Sequence, residues 1–412
     1  MTKRKASSAL LLFFSLFLGV SSPAANFKTI EKFKLFDEEI IHFDPNMYNT
    51  SVYKDGDILR MGNGRILLKK VRLPKSKRDI NLSLTIKLQS NGDRWDKTGS
   101  CFVIPAESDI NMIKIANGEE NYPAANPYLT ENLVGVIKQE NYLPTVELMR
   151  FMTPFGVGHY SSTDSISLER RKPIYVDKWA PHVEWTQDIS DRYSLLTEDV
   201  YVGVFVDTWT NEGYKLSVEF ELKESEIKAD KLIKKRVLPL VNTVYYQGQD
   251  FPDLFNRQPL NVIFDLPKKA KNVQLKYIVT GHGGLSGGDE FVQNENIISI
   301  DGEEIYRFTP WRDDCASFRR FNPSTGVWLM PREAAYISKE GSAVKLIDEA
   351  IASSDLSRSN WCPGSDVDPV TLYLDDLTQG KHKLTIAIPN AQSAANNTLN
   401  HWLVSAYLVW EE

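Results

Sequence analysis

Three carboxylates in this sequence stand beside aromatic residues rather than in charged runs. Asp96 lies in "DRWDKTG", next to Trp95. Asp207 lies in "VFVDTWTNEGY", which reads as an apolar strand with Phe205 and Trp209 on the same face. Glu290 lies in "GGDEFV", at an expected strand start beside Phe291. An ionised group in an apolar strand is costly unless it is paired, hydrogen-bonded or protonated. General acid and base chemistry uses that cost, because desolvation moves a carboxyl towards the working pH. Neighbouring aromatics suit the apolar faces of sugar rings. The competing assignment is structural, with each carboxylate forming an ion pair or capping a turn.

A second chemistry competes in the same stretch. "TGHGGLSGGDEF" (280–291) contains a G-x-S-x-G match around Ser286, with His282-Gly283-Gly284 placed like an oxyanion loop. A nucleophile elbow needs a strand that turns sharply into a helix. Here "EFVQNENIISI" follows and reads as another strand, so a Gly-rich hairpin is the better assignment. The six histidines (His42, His159, His182, His282, His382, His401) form no H-x-H or H-x-x-x-H pair, so no metal site is expected from their spacing. Of three cysteines, Cys315 and Cys362 lie in similar Gly/Pro/Trp-rich loops and are the favoured bridge. Cys101, in the apolar "CFVIP", reads as a buried inert thiol.

The elements that must position these groups are mostly strands. "LSLTIKLQ" puts Leu82, Leu84, Ile86 and Leu88 on one face, and "KLSVEFELK" does so with Leu216, Val218, Phe220 and Leu222. Val273, Leu275, Tyr277 and Val279 alternate in the same way, as do Leu384, Ile386 and Ile388. "VYVGVFVDTW" (200–209) and "HWLVSAYLVW" (401–410) are nearly continuous apolar runs, as in strands covered on both faces. Helical spacing is confined to "EKFKLFDEE" and "AVKLIDEAIAS" (343–353). Many short strands divided by turn residues predict an all-β protein, a sandwich or jelly roll.

A chain of 412 residues is long for one domain. The charged stretch "ELKESEIKADKLIKKR" follows one strand and precedes a fresh apolar run, so it divides domains at 27–222 and 234–412 around a linker at 223–233. Segments 105–145 and 330–355 read as inserts. At the N-terminus, Lys3, Arg4 and Lys5 precede "ALLLFFSLFLGV" and the small residues "SSPAAN", the pattern of a secretory signal over 1–25, cut near Ala24 or Ala25. Export, without a later membrane span, is the expectation. A net charge of −6 with no basic stripe argues against a nucleic-acid partner.

Several stretches taken together resemble the peptide-N-glycosidase F family, bacterial amidases that remove N-linked glycans from glycoproteins. "DRWDK", "RFMTPFGVG" and "VFVDTWTNEGYKLSVEFEL" recur in the first half in that order. "GHG…GGDEF", "CASFRRFNPSTGVW" and "RSNWCPG" follow in the second. The resemblance implies two eight-stranded antiparallel jelly rolls side by side, with the active site at their interface. It maps the family's principal catalytic aspartate onto Asp96, its second carboxylate onto Glu290 and its third onto Asp207. It maps the arginine before W-C-P-G onto Arg358, site aromatics onto Trp95, Trp209 and Phe291, and the histidine of the Gly-rich hairpin onto His282. Lys97 and Trp361 complete the implied substrate-binding set, and Cys315–Cys362 matches a family disulfide.

Departures are visible too. Asp207 stands where the family has glutamate, and Lys97 where it has arginine. Phe155 and Gly156 stand where it has two aromatics. The implied reaction is hydrolysis of the β-aspartylglucosamine amide of an N-linked glycoprotein or glycopeptide by a monomer, converting Asn to Asp. A non-catalytic glycan-binding protein of the same fold is the alternative. Copper monooxygenase and serine hydrolase chemistry rank behind it.

Overall fold

The computed structural model describes residues 27–123, 133–159, 176–226, 233–246, 249, 254–283, 288–393 and 400–412. The expected signal segment, most of the charged linker and Ser286 lie outside the described residues. Among the described residues the strands form antiparallel ladders arranged as two sandwiches.

In the first sandwich, a four-stranded sheet runs in the order Phe27–Ile41, Tyr214–Ser225, Ile80–Ser90, Val183–Asp188. The alternation read from sequence sets its register. Leu82, Leu84, Ile86 and Leu88 lie opposite Leu222, Phe220, Val218 and Leu216, and all eight are buried. A slip of one residue would turn both rows to solvent. Facing it is a seven-stranded sheet built around Val146–Met152, Thr98–Ile104, Val200–Val206 and Ile66–Val71. Val202, Val204 and Val206 point into the core between the two sheets. Phe205 points the other way and packs with Ile66, Leu68 and Phe102 against Val244, Tyr246 and Leu403 of the second sandwich. Cover on both faces accounts for the missing alternation in this strand.

The second sandwich packs Lys235–Asn242, His401–Glu411, Lys271–His282 and Val370–Tyr373 against Leu260–Leu266, Gly380–Ala387, Asn296–Ile300 and Glu303–Phe308. Its closing strand serves two cores. Trp402, Val404, Ala406 and Leu408 fill its own sandwich, while Tyr407 and Val409 join the core of the first. The exchange runs both ways. Asp366–Val367 adds a short strand to the first sandwich's larger sheet, and Leu133, Val136 and Ile137 join the core of the second. Between the sandwiches, Glu147 and Arg150 form a fully buried ion pair at 2.5 Å. Arg150 also donates to the Leu403 carbonyl at 2.5 Å and to Thr280 Oγ1 at 3.1 Å.

Both expected helices are strands. "EKFKLFDEE" lies within Phe27–Ile41, where register shifts after Lys34 and Phe36 let the adjacent Leu35 and Phe36 both be buried. Bulges break the period of two, and the result mimics helical spacing. "AVKLIDEAIAS", all but its last residue, lies within Gly341–Ala352, which pairs with Val327–Ser338 in a two-stranded ribbon turning at Lys339-Glu340. Among the described residues no further strand joins the ribbon, so no single face imposes alternation, and Leu329, Ile337, Val344 and Leu346 are exposed. A helix does occur at Met112–Ala116, capped by Asn111 Oδ1, which accepts from the amides of Ile113 and Lys114. Among the described residues no helix is long and apolar enough to cross a membrane.

Arg150→Met leaves Glu147 buried and unpaired, and should cost about 3–5 kcal/mol. Replacing both residues with apolar ones should recover most of that loss. Urea midpoints of the two variants against the parent check it, and an unchanged midpoint in Arg150→Met would show that the pair does not hold the interface.

Candidate active site

Four adjacent strands of the large sheet end at the same edge. Thr98 opens one strand opposite Met152, the last residue of its neighbour. Val206 ends the next, and Ile66 opens the fourth. Residues just beyond these ends therefore converge: Asp96 and Lys97, Asp207, and Arg65. Asp207 lies one residue past its strand rather than inside it, and its amide donates to the Thr98 carbonyl at 2.9 Å. The Asp96 loop is fixed through its backbone. The Trp95 carbonyl accepts from Tyr214 OH at 2.5 Å and from Thr153 Oγ1 at 3.1 Å, and the Lys97 amide donates to Thr153 Oγ1 at 2.8 Å. The neighbouring Asp93 has the structural role. It accepts from Thr208 Oγ1 at 2.7 Å and from the Trp95 amide at 3.0 Å.

The second sandwich supplies the opposite wall. Glu290 sits in a turn rather than at a strand start, and the following strand begins only at Asn296. The Glu290 carbonyl accepts from the Ser359 amide at 2.9 Å. Asp289 beside it is buried and structural, accepting from Asn294 Nδ2 at 2.9 Å and the Gln392 amide at 3.0 Å. Arg358 then joins the two sandwiches. Its Nε donates to Glu290 Oε1 at 2.7 Å, and its Nη2 lies 3.8 Å from Asp96 Oδ2. The guanidinium is 1% exposed, lies 4.9 Å from the Trp361 ring and 5.1 Å from Phe291, and donates to the carbonyls of Leu356 and Ser353. The Cys315–Cys362 disulfide anchors the loop that carries it, whereas Cys101 is a buried free thiol.

Asp207 heads a second cluster. Its Oδ1 accepts from Arg65 Nη1 at 3.3 Å and Trp209 Nε1 at 3.1 Å, and its Oδ2 accepts from Tyr245 OH at 2.9 Å. His282 bonds Thr280 Oγ1 at 2.7 Å and stacks between Trp361 and His401, at 5.5 and 5.1 Å. Asp96, Lys97, Asp207, Glu290, His282 and Trp361 all line one cavity of about 140 Å³. Trp95 and Trp209 are 62% and 57% exposed. Phe291 packs on Trp328 of the ribbon at 5.6 Å.

Burial sets the protonation. It pushes the Glu290 carboxyl up to about 7, with Arg358 pulling down and Asp96 adding to the rise. Burial also raises Asp96, against the pull of Arg358 and Lys97. Asp207 is raised by burial despite the Tyr245 hydroxyl and Arg65. His282 is held well below the usual imidazole range by burial, His401 and Arg150, so it is neutral. Two largely enclosed carboxylates beside one guanidinium interact strongly enough to titrate as a pair, and both are shifted upwards. Carboxyls shifted in this way are suited to general acid and base chemistry.

Of the residues singled out from sequence, Asp96, Lys97, Asp207, Glu290, His282 and Trp361 line this cavity; Arg358, Trp209 and Phe291 reach it through contacts with these or with one another, Trp95 adjoins Asp96 in the chain, and Ser286 lies outside the described residues. Arg65, Tyr245, His401 and Met152 were not foreseen. His282 and His401 are far apart in sequence but directly opposite in neighbouring strands, which a spacing search cannot see. Tyr245 and Arg65 carry no local signal.

The raised Glu290 pKa has a defined sign. Unfolded, the group releases its proton near 4.5, and folded it does so near about 7. Between these values the native state binds more protons, so the stability owed to this group is full below pH 4.5 and is lost as pH rises towards 7. Glu290→Gln should flatten that part of the profile, seen by comparing melting temperatures of both proteins across the range. Parallel profiles would contradict the shift.

Comparison with known proteins agrees with this geometry. The chain matches the family descriptions "Peptide-N-glycosidase F, N terminal" over residues 32–222 and "Peptide-N-glycosidase F, C terminal" over 250–409. Two crystal forms of PNGF-II are 34% and 35% identical to it, with a TM-score of 0.76 and 93% and 94% of this chain covered. The chain spans only 65% of the length of those relatives. PNGase F, a glycosylasparaginase from Flavobacterium meningosepticum, shares the fold at 14% identity and a TM-score of 0.56, covering 93% of this chain and 96% of that one. No curated protein matches significantly. Matches to both family descriptions, in order and over most of its length, place this chain in the peptide-N-glycosidase F family.

Proposed function

We propose that this protein is a peptide-N-glycosidase. It would hydrolyse the amide between an Asn side chain and the first sugar of an N-linked glycan, on a glycoprotein or glycopeptide. The observation that carries this reading is the Asp96–Arg358–Glu290 bridge, which closes a small cavity between the two sandwiches. Water adds to the amide carbonyl, the C–N bond breaks, and the nitrogen leaves with the sugar as a glycosylamine after taking up a proton. The peptide keeps an Asp. Asp96 acts at the scissile amide, positioning the water and assisting proton transfer. Glu290, protonated over part of the neutral range, works through a bound water or on the first sugar. Asp207 already accepts three hydrogen bonds, so it serves to orient the site. Exposed Trp95 and Trp209 offer faces to sugar rings, and Lys97 and His282 complete the wall.

The reaction asks for no cofactor, because paired carboxylates in a desolvated cleft supply the proton transfers. The disulfide fits an oxidising compartment and supports the exported location read from the N-terminal sequence.

The test is incubation with a denatured N-glycoprotein, with mass spectrometry for Asn-to-Asp conversion and free glycan. Asp96→Asn should lower the rate by about 10²–10⁴-fold, the usual worth of a positioned acid or base. Glycan retained on the protein without conversion would instead support the glycan-binding reading. Full activity in Asp96→Asn would refute the site assignment while leaving the reaction intact.

A further inference from the structure

A second hollow lies on the other side of the Asp207 cluster. It measures about 520 Å³ and shares Tyr245 with the catalytic cavity, and Arg65, which bonds Asp207, forms part of its wall. The two volumes differ in what they can hold. A cavity of about 140 Å³ is below the roughly 300–1,000 Å³ typical of organic-ligand sites, whereas 520 Å³ falls inside that range. A glycan of several sugars, once its first residue sits at the bridge, has to continue outside the smaller cavity.

The lining favours a neutral, hydroxyl-rich ligand. Asn49, Thr50, Ser51 and Asn63 supply amides and hydroxyls. The charge of Arg65 is already matched by Asp207 at 3.3 Å, and its Nε donates to the Gly62 carbonyl at 3.0 Å. The nearby Asp44 carboxylate accepts from the amides of Asn46 and Met47 at 3.0 and 2.9 Å and does not line the hollow. No unmatched charge therefore remains in the wall to select an anion or a cation.

The hollow is also preformed. Tyr48 is buried, and its hydroxyl bonds His42 Nε2 at 2.8 Å. Gly64 adopts φ +96°, where an added Cβ would meet the Tyr48 ring at 2.4 Å, so only glycine lets the two loops close. Beside Arg65, the Trp209 ring lies 4.2 Å from the guanidinium and 5.1 Å from the Phe43 ring, held by its bond to Asp207 Oδ1 at 3.1 Å. Its exposed part, 57% of the residue, can pack against a sugar bound near the Asp207 cluster.

We propose that this hollow is a second carbohydrate subsite, which takes the neutral outer sugars of the glycan whose first residue occupies the catalytic cavity. The assignment rests on the N-glycanase reading for its substrate. Its geometry, however, can be probed without catalysis.

Two glycopeptides with the same peptide discriminate, one carrying only chitobiose and the other a full oligomannose glycan. Thr50→Trp fills the hollow, and Asn49→Ala removes one polar group from its wall. Both should raise KM for the oligomannose substrate, Thr50→Trp by about tenfold, the effect of one or two lost hydrogen bonds. Both should leave the chitobiosyl substrate unchanged. Equal effects on the two substrates, or none with either variant, would overturn the subsite, as would preference for a sialylated glycan over the neutral one. If the parent protein cleaves neither substrate, the proposed reaction fails and the subsite is judged by calorimetric titration with free oligomannose glycan. Binding by the parent that is weakened in both variants supports it, and no binding by the parent rejects it.

Discussion

A guanidinium buried to 1% exposure has to find partners, and the candidate site is organised around that need at Arg358. Two of its nitrogens donate to carbonyls of its own loop, at Leu356 and Ser353, and Nε donates to Glu290. Removing a cation from water is repaid only when geometry and hydrogen bonding are nearly complete. The loop is accordingly held from several sides. Arg312 and Arg358 exchange backbone hydrogen bonds at 2.8 and 3.0 Å, the disulfide ties Cys362 to Cys315, and Ser359 Oγ donates to the Asp289 carbonyl at 2.7 Å. The same constraint places Glu290. With Asp96 arriving from the other sandwich at 3.8 Å, the cation also reports whether the two halves are docked.

That docking is a structural commitment of the whole chain. The large sheet of the first sandwich is covered on both faces, and the closing strand of the second divides its side chains between two cores. The polar part of the interface follows the same rule as the site: Arg150 and Glu147 are buried together, Arg150 also donates to the Leu403 carbonyl and Thr280 Oγ1, and Glu147 accepts from Ser100 Oγ. Thr280 in turn bonds His282, which stacks on Trp361, whose indole donates to the Gly281 carbonyl at 2.9 Å. A continuous chain of packed and bonded groups therefore runs from the interdomain ion pair to the candidate cavity. The site is formed by the interface itself rather than by either domain.

Sequence made the sandwiches legible where one face is buried, because strand alternation then has one physical cause. Leu82 to Leu88 and Leu216 to Leu222 are opposite each other as their pattern implies. It misled at 31–39, where bulges place Leu35 and Phe36 inward together, and at 343–353, where an unsupported ribbon has no core to impose a period. Site carboxylates could be picked out by their aromatic neighbours, but their roles could not be divided locally. Asp93 and Asp96 share one loop and Asp289 and Glu290 one turn. In each pair the first is consumed by hydrogen bonds of the fold and the second faces the cavity. Only three-dimensional placement separates them. Arg65 and Tyr245 were invisible because their function comes from contact with Asp207, which is remote from both in the chain.

The Asp207 cluster also gives a physical account of this chain's main departure from its family. An aspartate is one methylene shorter than the glutamate found there, and a group acting directly on substrate would lose reach. Here both carboxylate oxygens are instead bound by Arg65, Trp209 and Tyr245. A carboxylate so engaged holds other groups still, and for that purpose the distance to its partners matters more than the distance to the substrate. Arg65 and Tyr245 reach a short acid, and through it they fix the indole of Trp209. Lys97 follows a similar logic. Its position is set by backbone bonds to Thr153 in both directions, so exchanging a guanidinium fork for an ammonium alters the local field without moving Asp96. The substitutions thus fall on groups that shape the pocket, while the bridge of Asp96, Arg358 and Glu290 is complete.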